Sequence, residues 1–117
     1  MQEVYEREEM TINELMDESY QIAKDHGWTE DGRTFGDHVS LMHSELSEAL
    51  EDFRKGRDLP EIYWEGEKPC GIPMEFADTV IRIAQYCKEK GIDLQGALEV
   101  KEAYNATRSH RHGGKRL

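Results

Sequence analysis

The sequence predicts an all-α fold, a bundle of four helices. Apolar residues recur at the three-to-four-residue spacing of amphipathic helices in four segments, and capping residues and glycines separate these segments. No segment shows the apolar–polar alternation that is typical of a strand. The chain of 117 residues has the length of one domain, and only 37% of its residues are hydrophobic. We therefore expect a thin core, completed by oligomerisation.

The first two helices are predicted from capping signals and apolar stripes. Thr11 and Glu14 have the spacing of a capping box, and the helix that they begin ends just before Gly27. A glycine-rich connector follows, and the second helix is predicted over about residues 37–55. Its apolar stripe consists of Val39, Met42, Leu46, Ala49, Leu50 and Phe53.

A long loop separates the first two helices from the last two. Residues 57–72 are rich in proline, glycine and charge, which predicts a loop without strands. The third helix is predicted over residues 73–90, and Asp93 is the expected cap of a fourth helix over residues 94–107. The expected organisation is thus a flexible acidic arm (1–10), a helical domain (11–107) and a basic tail (108–117).

The charge distribution argues against nucleic acid as a partner. The chain has a net charge of −10, and four of its 15 basic residues lie in the last ten positions, which leaves 11 basic against 25 acidic residues before them. A body this acidic repels a nucleic-acid backbone.

No segment approaches the roughly 20 apolar residues that span a bilayer. The two separated cysteines are expected to be reduced, and the protein to be cytoplasmic.

Two pairs of carboxylates are the candidate functional residues. Glu45 and Glu48 are three residues apart in the second helix, and Glu75 and Asp78 are three apart in the third. This spacing places each pair on one helical face, so two adjacent helices can direct four carboxylates at one cation. Solvated surface acids, with Asp78 paired to Arg82, are the alternative interpretation. A di-iron site is excluded because no histidine follows a glutamate by three positions.

The chain resembles the MazG-like nucleoside triphosphate pyrophosphohydrolases, an all-α superfamily. The hallmark of that family is an ExxE helix, a spacer and an ExxD helix. Here the first motif is Glu45-Leu-Ser-Glu48, 26 residues intervene, and the second is Glu75-Phe-Ala-Asp78.

A basic segment extends the resemblance towards the end of the chain. Family members commonly carry a lysine, an asparagine and a basic residue on the last helix, which correspond to Lys101, Asn105 and Arg108. The resemblance covers roughly residues 36–115. One departure is Ser44, where many relatives have a glutamate directly before the ExxE motif.

The resemblance implies a metal-dependent hydrolase. It implies that Mg²⁺, or Mn²⁺ as a substitute, is bound by Glu45, Glu48, Glu75 and Asp78. The reaction implied is hydrolysis of a (deoxy)nucleoside triphosphate to the monophosphate and pyrophosphate, which removes unwanted nucleotides from the pool. Either Glu45 or Glu48 is the candidate to orient the attacking water or take its proton.

The phosphate-binding candidates lie on the fourth helix and the tail. They are Lys101, Asn105 and Arg108, with Arg111 and Lys115 if the tail folds over the site. An acidic metal cage needs such cations, because on its own it would repel the substrate. A solvated lysine and a disordered basic tail are the alternatives.

The candidates for base recognition are aromatic residues in the connectors. Tyr63, Trp64 and Trp28, and also Phe35, can stack on a nucleobase, or they can fix their loops to the bundle. His38 and His43 are expected to be scaffold residues, since Mg²⁺ does not favour imidazole.

Two functions remain open from the sequence. The first is the pyrophosphohydrolase, assembled as a homodimer or homotetramer with sites between subunits, as the resemblance implies. The second is a non-catalytic acidic helical module that binds a protein partner, with its basic tail as a possible contact.

Overall fold

The computed structural model describes residues 8–108 of the chain. Four helices dominate this part: α1 (Ile12–Asp25), α2 (Phe35–Arg54), α3 (Ile72–Lys90) and α4 (Leu94–Thr107). The prediction of a mostly helical fold is therefore confirmed. Most of the predicted acidic arm, and the basic tail after Arg108, lie outside the described residues. Within residues 8–108, no helix is both long enough and apolar enough to cross a bilayer.

Capping boxes fix the starts of the first two helices. The Thr11 hydroxyl accepts from the Glu14 amide at 3.1 Å and the Glu14 carboxylate accepts from the Thr11 amide at 2.9 Å, as predicted. Thr34 and Asp37 form a second box of the same kind, so α2 begins two residues before the predicted start. Phe35 consequently belongs to α2 instead of the connector.

The predicted loop between α2 and α3 contains a β-hairpin. Strands β1 (Tyr63–Glu65) and β2 (Lys68–Cys70) pair antiparallel, with Tyr63 opposite Cys70. Gly66 occupies the turn with a φ of 65°. The prediction of a strand-free segment was wrong because each strand is only three residues long, too short to show alternation.

Helix α3 is the centre of the packing. It contacts α1 on one side and α2 on the other, and α4 contacts α1. Met16 of α1 packs with Ala84 and Cys87 of α3 to form the buried core, and the start of α4 touches it through Leu94.

Helix α2 packs against α3 with only part of its predicted apolar stripe. Its buried residues are Glu45 and Ala49, whereas Leu46, Leu50 and Phe53 of the apolar stripe are about half exposed, at 46–56%. The side of α2 that carries Glu45 and Ala49 therefore faces α3, and the part of the apolar stripe with Leu46, Leu50 and Phe53 is turned towards solvent.

Candidate metal centre

Three of the four predicted carboxylates converge between α2 and α3. Glu45, Glu48 and Glu75 each offer one carboxylate oxygen, and these three oxygens lie within 4.8 Å of one another. Glu45 is only 7% exposed, Glu75 is half-buried and Glu48 is exposed. The carboxylate cluster, as we call these three residues, therefore reaches from the helix interface to solvent.

The position of Glu75 depends on how α3 begins. Gly71 caps the helix with a φ of 122°, and a Cβ atom at this position would collide with the backbone oxygen of Glu61. Only glycine combines this conformation with such a close approach. The hairpin therefore leads directly into α3, which presents Glu75 to α2 in its first turn.

Glu75 carries the strongest electrostatic perturbation in the cluster. Its Oε2 atom is buried and has no hydrogen-bond partner within residues 8–108. Burial raises the pKa of Glu75 to about 8. The Glu45 and Glu48 carboxylates add to the shift, because they can accept a hydrogen bond from the protonated acid and their negative charge opposes its ionisation. In the metal-free protein a proton therefore occupies the cluster at neutral pH, in a place where a cation would relieve the same repulsion.

Asp78, the fourth predicted ligand, lies one turn after Glu75 at the edge of the cluster. Its carboxylate is not among the three oxygens within 4.8 Å, although Glu45 and Glu48 both act on it electrostatically. Partial burial of the carboxylate raises the pKa of Asp78, the charge of Glu45 raises it further, and the charge of Arg82 opposes both. Its role as a ligand stays a prediction.

Arg82 pairs across the two helices. The sequence suggested an i, i+4 pair with Asp78, but the Arg82 Nε atom donates to Glu45 Oε1 at 3.1 Å. The α2 stripe that bears Glu45 faces α3, which brings Glu45 within reach of Arg82.

A cleft of about 320 Å³ opens beside the cluster. Its walls combine carboxylates, two guanidinium groups, an amide and apolar surface: Trp28, Arg33, His38, Glu45, Asp78, Ile81, Arg82 and Gln85. Trp28 is 52% exposed and its ring lies 4.8 Å from that of His26. The His38 ring packs against Tyr86 at 4.6 Å, in keeping with a scaffold role.

The hairpin aromatics lie at the opposite end of α2. The Tyr63 hydroxyl donates to Asp52 at 3.3 Å, and the Arg57 guanidinium covers the Tyr63 ring at 3.5 Å. Trp64 lines the same polar hollow, which does not include Glu45 or Asp78. These contacts fix the hairpin to α2. Of the aromatic residues predicted to bind a base, Trp28 lines the cleft that contains Glu45 and Asp78.

The phosphate-binding candidates of α4 lie apart from this cleft. Lys101, Asn105 and Arg108 are exposed, and none of them lines it. Lys101 Nζ and the Arg108 guanidinium lie 5.0 Å and 5.7 Å from the centroid of the Tyr104 ring. Arg111 and Lys115 lie outside the described residues, so the phosphate-binding role of all five stays a prediction.

Three residues of the cleft, Arg33, Ile81 and Gln85, were not predicted from the sequence. Arg33 lies in the connector before α2, where its Nε atom pairs with Asp31 at 3.0 Å, and Gln85 follows Ile81 by one helical turn on α3. The signal for Gln85 was its position on the same helix, one turn beyond Arg82 and two turns beyond Asp78. Arg33 had no such signal, since its place depends on the path of an irregular segment.

The donor atoms of the cluster fit a hard divalent cation. Three carboxylates supply oxygen alone, the ligand type that Mg²⁺, Mn²⁺ and Ca²⁺ favour. The buried, unpartnered Oε2 atom of Glu75 supports the same conclusion, because this carboxylate can ionise only if a compensating charge is close by. No family model matches this chain, and no curated protein or solved structure matches it. The functional assignment therefore depends on the arrangement of these side chains.

Proposed function

We propose that this protein is an Mg²⁺-dependent nucleoside triphosphate pyrophosphohydrolase of the MazG-like type. The observation that carries the proposal is the convergence of Glu45, Glu48 and Glu75 from two helices with the ExxE and ExxD spacing. A cleft containing an exposed indole and two guanidinium groups opens beside them. Carboxylates, cations and an aromatic surface are the three elements that binding a nucleoside triphosphate requires.

The three carboxylates, with Asp78, would hold the metal ion. Bound there, Mg²⁺ supplies neutralisation of the phosphate oxygens and a lower pKa for the attacking water. Water adds to the α-phosphorus, the bond between that phosphorus and the α–β bridging oxygen breaks, and pyrophosphate leaves. The balanced reaction converts one triphosphate and one water into one monophosphate and one pyrophosphate.

Glu48 is the residue that we assign to the attacking water. Glu45 is buried and accepts a hydrogen bond from Arg82, and Oε2 of Glu75 is also buried. Glu48 is the exposed member of the cluster, so its second oxygen can reach a water molecule and take its proton.

The nucleobase occupies the cleft next to Trp28 in this proposal. The indole is half exposed and Ile81 lines the same cleft, so a flat base can bury apolar area between them. Tyr63 is a poorer platform because Arg57 already covers its ring.

The experiment that tests the function is pyrophosphate release from a panel of canonical and modified NTPs and dNTPs. We expect release with Mg²⁺ or Mn²⁺, none with EDTA, and a preference for one nucleotide. Equal release with EDTA would contradict the metal-dependent reaction. A chain that released no pyrophosphate and bound no Mg²⁺ in a titration would instead fit the acidic binding module.

The proposal includes an oligomer whose sites draw on two subunits. Large apolar side chains remain exposed on all four helices, including Ile22 of α1, Leu50 and Phe53 of α2, Phe76 of α3, and Val100 of α4. Helix α4 has no buried residue. Packing α4 of a second copy near the carboxylate cluster would bury apolar surface and bring Lys101, Asn105 and Arg108 to the phosphates.

Mixing two inactive variants tests this arrangement. Glu75→Gln damages the cluster and keeps α4, whereas Lys101→Ala damages α4 and keeps the cluster. If sites form between subunits, exchange of subunits in the mixture restores about a quarter of the wild-type rate, because half of the dimers are mixed and each has one intact site. A mixture as inactive as its components, with subunit exchange verified by mass spectrometry, would show that each site belongs to one chain.

A further inference from the structure

Arg82 lies beside the carboxylate cluster, where a positive charge offsets the repulsion among the three acids. Among residues 8–108, it is the basic residue that forms an ion pair with a member of the carboxylate cluster. Its partner Glu45 is the most buried of the three, with a side chain only 10% exposed. The guanidinium therefore offsets part of the negative charge that the cluster concentrates at the helix interface.

The contact uses only part of the guanidinium. Arg82 engages Glu45 through Nε, and neither terminal nitrogen forms a hydrogen bond with the described residues. The side chain is 35% exposed and lines the cleft, so it has room to move. A guanidinium with a free planar edge is suited to bidentate contact with a phosphate group.

A divalent cation and this guanidinium compete for the same carboxylate. A cation held by Glu45, Glu48 and Glu75 lies within a few ångströms of any group that bonds to Glu45. Two positive charges at that separation repel each other, and both draw on the negative charge of the same Glu45 carboxylate. Metal binding should therefore weaken the Arg82–Glu45 pair.

We propose that Arg82 exchanges partners when the metal binds. In the metal-free protein it pairs with Glu45. In the metal-loaded protein the guanidinium leaves Glu45 and turns into the cleft, where it binds a phosphate group of the nucleotide. The first step concerns only the cation, and the second rests on the proposed function.

Magnesium titration by calorimetry tests the first step without any substrate. Arg82→Gln removes the competing charge, so Mg²⁺ should bind the free variant about tenfold more tightly than the wild type. Arg82→Lys keeps the charge and should bind Mg²⁺ as the wild type does. Arg54→Gln is the matched control: Arg54 lies on α2, pairs with Glu51 at 3.8 Å and has a 67% exposed side chain. Removing this charge should change the affinity less than about twofold.

The opposite sign would overturn the exchange. If Arg82 merely orients Glu45 for the metal, Arg82→Gln will weaken Mg²⁺ binding. An unchanged affinity would equally contradict the competition. If Arg82→Gln does not fold without metal, Arg82→Lys tests the competition instead. The lysine keeps the positive charge as a compact donor. An Mg²⁺ affinity that differs from the wild type by more than about threefold in either direction would therefore contradict a charge-based competition.

The kinetic constants test the second step. At saturating Mg²⁺, both Arg82→Gln and Arg82→Lys should raise KM for the preferred nucleotide about tenfold, since neither offers the planar fork. Arg54→Gln should leave KM unchanged. An unchanged KM in both Arg82 variants would refute phosphate binding by Arg82. If the proposed function is wrong, the wild type itself will hydrolyse no nucleotide. The Mg²⁺ titration would still test whether the cation and Arg82 compete for Glu45.

Discussion

Replacing Glu75 with glutamine is expected to stabilise the metal-free protein at neutral pH and to abolish the proposed metal-dependent hydrolysis. The pKa of Glu75 is raised to about 8, first by burial and then by Glu45 and Glu48. At pH 7 to 8 the folded protein must therefore either keep a proton on Glu75 or accept repulsion among three carboxylates. Glutamine has nearly the shape of the protonated acid and avoids both costs.

The expected gain depends on pH in a defined direction. We expect Glu75→Gln to raise the free energy of unfolding by about 1–2 kcal/mol at pH 7.5 and by much less at pH 4.5, where the acid is protonated in the folded state and about half protonated in the unfolded chain. Urea denaturation at the two pH values in EDTA measures the difference. Glu51→Gln on the exposed side of α2 is the control, and it should show no pH-dependent gain.

Activity should change in the opposite direction to stability. Glu75→Gln removes one anionic ligand. Loss of a residue that only hydrogen-bonds to a metal ligand already reduces metal affinity or activity by up to about 100-fold, so loss of a ligand should reduce Mg²⁺ affinity and pyrophosphate release by more than that. A variant that is more stable than the wild type but inactive cannot owe its inactivity to misfolding. Hydrolysis at the wild-type rate would remove Glu75 from the site.

The helices and the acidic pairs were predictable because their signals are local. The capping box of Thr11 and Glu14 and the Asp93 cap mark the starts of α1 and α4 within a few residues of sequence. The i, i+3 spacing places Glu45 with Glu48 on one face of α2, whatever that face contacts. Such features need no knowledge of tertiary structure, and the prediction of α4 as residues 94–107 is confirmed at both ends.

The partners of those acids were not predictable, because they depend on which face of α2 meets α3. Apolar patterning indicated that Leu46, Leu50 and Phe53 would be inside, yet Glu45 is buried and these three are half exposed. The same orientation makes Arg82 a partner of Glu45 instead of Asp78. The apolar pattern of a helix does not identify its buried face when acidic residues beside the apolar stripe are stabilised by ion pairing across helices, as Glu45 is by Arg82.

A single bound cation should cancel the pH dependence of stability that Glu75 causes. In the folded, metal-free protein Glu75 titrates at about pH 8 against an ordinary value of 4.5, so between these values the folded state holds a proton that the unfolded chain has released. The free energy of unfolding must therefore fall as pH rises through this window, and the raised pKa of Asp78 acts in the same direction. We expect the Tm in EDTA to fall by about 5 °C between pH 5 and 8.

Saturating Mg²⁺ should cancel that fall, because the ion binds the deprotonated cluster and displaces the proton. At pH 7 we expect the release of about one proton per ion, and an apparent affinity that increases up to about pH 8. Calorimetric titrations in two buffers with different ionisation enthalpies count the protons, and Glu75→Gln, which has no proton to lose, is the matched control. A cation among these three carboxylates cannot occupy the same space as the proton on Glu75. If Mg²⁺ bound tightly to the wild type at pH 7 without releasing a proton, the ion would therefore have to lie away from Glu75.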